Sequence, residues 1–263
     1  MPAWHPHPQV WLLIGLLAGG YLAAAATGKQ RLAPAQAASF LLGVGMLWLA
    51  DDWPLHDLAG ASFGAHTVEH LIQALVAPPL LLLGIPAWMA RALLRPRPVL
   101  AAVRTLTRPI PAFVLFNGVM LAMHWPLVIE QMLRSESFHL AAHTVIVLTG
   151  LVMWAPVLSP LPEIPRLSPP LQLLYLFAQS ILPTIPASFI TFAQAPPYTV
   201  YEGLAPLFGL SVLEDQQIGG LLIKLLGGAI LWTAIAIIFF RWYVEEQRWE
   251  RIERDLRRAE WPP

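Results

Sequence analysis

Eight histidines and no cysteine restrict the metal chemistry open to this chain to imidazole, carboxylate and thioether donors. Four of the histidines form two pairs, His66 with His70 and His139 with His143, each pair four residues apart. On a helix this spacing stacks both rings on one face, one turn apart. Neutral imidazole binds copper, zinc and iron at pH 7, so two such pairs at a common depth would make a metal or haem site. His124 is a fifth candidate ligand. Met120 precedes it by one turn on the same face, and Met123 is its neighbour in sequence. A thioether favours Cu(I), although methionine also serves as plain filler in apolar helices. Glu69, inside the first pair, could orient a ring as its hydrogen-bond partner.

The elements that must position these residues are membrane helices. Of 263 residues, 57% are hydrophobic and 12% charged, and the mean hydropathy is +0.59; a soluble domain carries about 25% charge. Seven apolar segments follow one another: Val10–Thr27, Ala35–Ala50, Ala65–Met89, Pro111–Ile129, Leu140–Leu158, Pro170–Phe192 and Gln217–Phe240. Most approach the ~20 residues that cross a bilayer as helix, and backbone groups in lipid must be satisfied within such a segment. The expectation is an all-α polytopic membrane protein: a single domain over residues 1–263, a bundle of seven transmembrane helices, with residues 241–263 as a cytoplasmic helical tail. Nothing positive precedes the first apolar run in MPAWHPHPQVW, so that helix is expected to stay in the protein. A net charge of zero argues against nucleic acid as a partner.

Charge sets the orientation. Lys29 and Arg31, then Arg91, Arg95, Arg97, Arg104 and Arg108, then Arg166, and finally Arg241 to Arg258 fall in alternate connections, whereas the other side has only Arg134. The positive-inside rule then places the N-terminus outside and the C-terminus in the cytoplasm. All eight histidines fall on the outer side, with His5 and His7 in a Pro-rich segment that nothing in the sequence fixes in place. Many acidic residues share that side: Asp51, Asp52, Asp57, Glu69, Glu130, Glu136, Glu202, Glu214 and Asp215. Asp215 reads as a cap for the last span. Lys224, about 13 Å deeper at 1.5 Å per residue, either snorkels or pairs with a buried carboxylate. Pro78 and Pro79, and Pro183 and Pro186, should kink their spans. The connection from Pro186 to Gly209 could cover the histidines as a lid.

His66–Thr67–Val68–Glu69–His70 also matches H-x-x-E-H, the inverted zinc-protease pattern, but no third protease ligand is spaced to follow it. Di-iron oxygenases face their histidines to the cytoplasm, and a di-haem cytochrome needs histidines at two depths; neither fits.

Four stretches taken together resemble the CtaG family of cytochrome c oxidase assembly proteins, in its caa3-type branch: AHTVEHLIQALVAPPLLLLG, AMHWP, FHLAAH with the following MWAPVLSPLP, and LEDQQIGG. They occur in the family order from about Trp48 to Glu246. The resemblance implies a bacterial inner-membrane factor that matures haem–copper oxidase, binding copper transiently ahead of haem or zinc. Its partners would be oxidase subunits and a periplasmic copper chaperone. It also implies His66, His70, His124, His139 and His143 as metal residues, together with Asp215; the reading of the residues themselves adds Glu69, Met120, Met123 and Lys224 as candidate supporting groups, Lys224 standing where the family more usually has a large neutral residue. Glu69 stands where the family often has glutamine, and Ala142 where an acidic residue is common. A membrane redox or metal-dependent enzyme using the same histidines, and a metal-free scaffold for oxidase subunits, are the alternative readings. Reporter fusions after Asp57 and Glu136 should read extracytoplasmic, and those after Arg97 and Arg257 cytoplasmic; an inside signal at Asp57 would put the histidines in the wrong compartment.

Overall fold

The computed structural model describes residues 5–28, 30–204 and 207–260. Lys29, the side chain of Arg258 and residues 261–263, used above for orientation and for the tail, lie outside the described residues. Every regular element among the described residues is helical. In chain order they are α1 (Pro8–Thr27), α2 (Pro34–Asp51), the short α3 (Leu55–Ala59), α4 (Phe63–Gly84), α5 (Ala87–Leu93), α6 (Arg97–Leu106), α7 (Pro109–Met123), α8 (Pro126–Arg134), α9 (Glu136–Leu158), α10 (Pro169–Thr191) and the final helix α11, from Val212 to Glu260. Five of them open on proline, whose missing N–H is one that a first turn leaves unbonded anyway.

Five helices, α1, α4, α9, α10 and α11, are long and apolar enough to cross a membrane. A sixth is added if α6 and α7, bent by 80° at Thr107–Arg108, count as one span. The fold is thus an all-α bundle of several spans. Two of the expected segments end early, for the same reason. The segment drawn to Ile129 stops at Met123, because Pro126 holds Trp125 in an extended conformation and α8 starts afresh. The one drawn to Met89 stops at Gly84, with extended Ile85 before Pro86. The last helix runs far past the hydrocarbon: its 46 residues to Arg257 make about 69 Å, against ~30 Å of bilayer core.

Helices α4 and α9 form the centre. Over half of each is buried, against 11% for α1 and for α11. Around them pack Ala74, Leu75, Phe116, Ile146, Met153, Trp154 and Leu176 on one side, and Tyr21, Phe40, Val44, Leu47 and Leu81 on the other. Both α4 and α11 contain one π-helical stretch, Ile72–Val76 and Ile223–Gly227. In α4 this stretch leads into Pro78 and Pro79, so the expected kink takes the form of a widened turn, with Ala77 N donating to Ile72 O. Pro78 cannot donate to Ala74 O, and that carbonyl faces α9 at Gly150. A Cβ on Gly150 would lie 2.8 Å from Ala74 O and 2.8 Å from Pro78 Cγ. Pro183 likewise interrupts α10, which pauses after Ile181 and resumes at Thr184.

Close approach of α4 and α9 therefore needs a residue without a side chain at Gly150. Gly150→Val should lower the unfolding midpoint in detergent, at a cost of about 1–3 kcal/mol typical of overpacking. Intrinsic tryptophan fluorescence on heating would measure it.

Candidate metal centre

The N-terminal ends of α4 and α9 bring both histidine pairs together. Ring centroids stand 4.1 Å apart for His66 and His70, 4.2 Å for His139 and His143, 6.0 Å for His66 and His139, and 5.3 Å for His70 and His143. His124, at the end of α7, lies 5.7 Å from His70. All five histidines singled out from spacing thus share one cluster, and four are buried, with His66 at 0% and His70 at 2% exposure.

The carboxylate of Glu69 sits among them, also at 0% exposure. Its Oε2 lies 3.7 Å from His143 Nε2, 3.9 Å from His139 Nε2 and 3.9 Å from His66 Nδ1. None of these four atoms has a hydrogen-bond partner among the described residues. Buried polar atoms are nearly always bonded, so four orphans facing one point mark a place for a bound group. Donors at ~2.0–2.2 Å from one ion would stand about 3.3–3.5 Å apart in a tetrahedron, a few tenths of an ångström inside the separations found.

The surroundings orient these donors. His143 Nδ1 is 2.7 Å from Asp51 Oδ1, which also accepts from Gln73 Nε2 at 2.8 Å. Gln73 Nε2 is also 2.7 Å from His143 Nδ1, so Asp51 and Gln73 together hold the ring with its Nε2 toward Glu69, and the tautomer that gives the Nδ1 proton to Asp51 leaves the Nε2 lone pair free for an ion. The other oxygen of Glu69, Oε1, is 2.8 Å from Nδ1 of His56, in α3. His56 also lies 4.8 Å from His139, centroid to centroid. Donor atoms of His56, Glu69, His139 and His143 all fall within 4.8 Å of one another, a group able to hold a metal ion. Burial pushes the His56 imidazole below its ordinary range despite the nearby carboxylates, which keeps it neutral and ligand-ready at pH 7.

His56 was not among the residues that spacing singled out. It has no partner at helical spacing, and only its place on the histidine-rich side pointed to it. Gln73 was readable, seven residues beyond His66 on the same face. His7 overturns the expectation of a loose N-terminal segment. It is largely buried at the start of α1, 3.7 Å from Asp57 Oδ1 and 3.5 Å from Glu136 Oε1, with its ring 4.8 Å from that of His56. The more exposed His5 is 3.7 Å from Asp57 Oδ2.

Asp215 also departs from its expected role. Its own helix is capped by Ser211 and Glu214, which exchange side-chain and backbone hydrogen bonds. Asp215 instead caps α4, accepting from Ser62 Oγ at 2.6 Å, Phe63 N at 2.6 Å and Gly64 N at 3.3 Å. It thereby fixes the turn from which His66 projects. Met120 and Met123 pack in the apolar core, and the Met120 carbonyl holds His124 Nδ1 at 2.8 Å. Lys224 is exposed on the outside of the bundle, within the π stretch of α11, and no carboxylate among the described residues pairs with it. Of the expected lid, Tyr198 and Tyr201 are buried. Tyr198 stacks on Phe63 at 4.5 Å, donates to His124 O and is clasped through its backbone by Gln216.

The model of the family described as cytochrome c oxidase caa3 assembly factor matches residues 18–245. No curated protein matched the chain, and no solved structure did.

Asp215→Ala should destabilise the protein by about 1–2 kcal/mol, as for loss of a strong helix cap, and should weaken metal binding although Asp215 touches no metal-facing atom. Paired thermal unfolding and metal titration would show whether the two losses come together.

Proposed function

The chain belongs to the cytochrome c oxidase caa3 assembly factor family, and from that premise we propose that it holds copper at the Glu69 cluster and passes it to a subunit of a haem–copper oxidase in the same membrane. It is a multi-pass membrane protein of the bacterial inner-membrane type, with a clustered His/Glu site fit for a metal. The observation that carries the proposal is the set of three partnerless buried imidazole nitrogens around the equally partnerless Glu69 Oε2. Copper suits neutral imidazoles beside one carboxylate, and assembly of a cytochrome c oxidase, which the family description names, is a process in which a protein-held copper ion would be used.

In this reading the chain makes seven crossings, with α2 as a short one and α6–α7 as a bent one, and the N-terminus outside. The whole chain is one membrane unit whose last helix ends as a cytoplasmic tail. Helix direction supports a single outer face, because every cluster histidine lies at one end of the bundle and the Arg91–Glu163 ion pair at the other. Copper would come from a periplasmic chaperone and pass His7, Asp57 and Glu136. His66, His139 and His143 bind it with Glu69, and His56 with Asp51 and Gln73 orient the donors.

Copper titration of purified variants, together with oxidase activity of host membranes, tests this. Glu69→Gln and His143→Ala should each weaken copper binding by roughly 100-fold or more, above the 10–100-fold common for an outer-sphere partner, and oxidase activity should fall with it. His5→Ala should change little. Full copper retention and full oxidase activity in both of the first two variants would sink the proposal.

A further inference from the structure

A large apolar cavity of about 520 Å³ opens beside the cluster. It lies between α7, α10 and the π stretch of α11, and His70 and His124 line it together with Met120. Both ring nitrogens of His70, both of His66 and the Nε2 of His124 lack hydrogen-bond partners among the described residues. Only His66 Nδ1 faces the Glu69 carboxylate within ion-pair distance. Three imidazoles therefore carry more donor nitrogens than the Glu69 site can use. His70, with neither nitrogen bonded at 2% exposure, has no structural reason to be there.

Resting on the copper reading above, we propose that the cluster is two metal sites in series, and that His66, His70 and His124, beside the Met120 thioether, form an inner site selective for a soft monovalent ion, Cu(I). Selectivity follows from charge. The outer site holds Glu69 within it and has Asp51 behind His143, so it can neutralise a divalent ion. Among the described residues no carboxylate lies within ion-pair distance of His70 or His124, and the cavity beside them is walled mainly by aliphatic and aromatic side chains. The cost of placing an ion in such surroundings grows with the square of its charge, about fourfold from mono- to divalent. Met120 lines the same cavity, and a thioether that reaches an ion there favours Cu(I).

His66 joins the two sites. A neutral imidazole has one lone pair, so the ring serves Glu69 through Nδ1 or the inner site through Nε2, never both at once. Exchange of its ring proton from one nitrogen to the other would release an ion on one side and receive it on the other. No change of metal valence is involved when the ion arrives as Cu(I). The inner site then sits where the bundle opens sideways within the span, facing a membrane-embedded acceptor.

Silver(I) and zinc(II) are closed-shell probes for the two sites, used on the full chain in detergent. In the parent protein one ion of each should bind per chain, each weakening the other because both draw on the single lone pair of His66. His70→Gln and His124→Gln should weaken silver by roughly 100-fold, beyond the loss of an outer-sphere partner, while leaving zinc unchanged; Glu69→Gln should do the reverse. Strict exclusion, in which the parent never holds silver and zinc at once, or silver binding at full strength in both histidine variants, would overturn the second site while the outer one stands. Zinc and copper both failing to bind the parent would overturn the copper-handling function itself. The competition experiment needs no variant, so it holds even if a substitution disturbs folding.

Discussion

A carboxylate with no access to water has to be met by something, and the arrangement around Glu69 is the consequence. Its Oε1 is taken by His56, and its Oε2 is left facing three imidazole nitrogens at 3.7–3.9 Å, too far for hydrogen bonds. An uncompensated charge in a helical bundle costs several kcal/mol, so a protein keeps one only where a cation or proton completes it. The site brings residues from α3, α4 and α9 to one point, with α2 supplying Asp51 behind them. Each of these elements is placed by something other than the site. Asp215 caps α4 from a distant helix, Tyr198 and Gln216 close the side, and the N-terminal segment docks His7 against the carboxylates at the mouth.

The interior that supports this site is built with irregular helices. Prolines 78 and 79 remove two backbone donors in the middle of α4, and the π turn before them re-spaces the chain while Gly150 leaves room for the exposed carbonyl. Gly84 plays the matching part against α2, where a Cβ would come within 2.4 Å of Phe40 N. A second π turn in α11 lies opposite, at the wall of the lateral cavity. Elsewhere inside the spans polar residues close on one another: Asn117 donates to Gln179, Gln179 to Tyr175, and Tyr175 to Met153 O. Buried atoms left without a partner collect mainly at the histidines and Glu69, with the indole nitrogens of Trp88 and Trp154 unbonded away from the site among the described residues.

Local pattern was enough to read a helical membrane bundle, because apolar runs of about 20 residues admit no other way to satisfy the backbone in lipid. It was also enough to pair His66 with His70 and His139 with His143, since a spacing of four residues alone sets a shared helix face. The common side of the histidines came from charge alternation, which is again a property of the chain read linearly. The helix ends before Pro86 and Pro126 were missed, because apolar composition runs on past the prolines and carried the segments to Met89 and Ile129.

What only the tertiary structure decided is who meets whom across helices. His56 and His7 join the cluster, Asp51 turns His143, and Asp215 caps a helix about 150 residues away from it in the chain. None of these contacts leaves a periodic trace, because each is set by the angle and depth at which two helices cross. Those are fixed by packing at small residues and by the widened turn before the prolines. The sorting of five histidines into nitrogens that face a carboxylate and nitrogens that face an apolar cavity is likewise a matter of ring orientation. A linear sequence specifies which residues can ligate; the crossing of α4, α7 and α9 determines which of their lone pairs point at the same place.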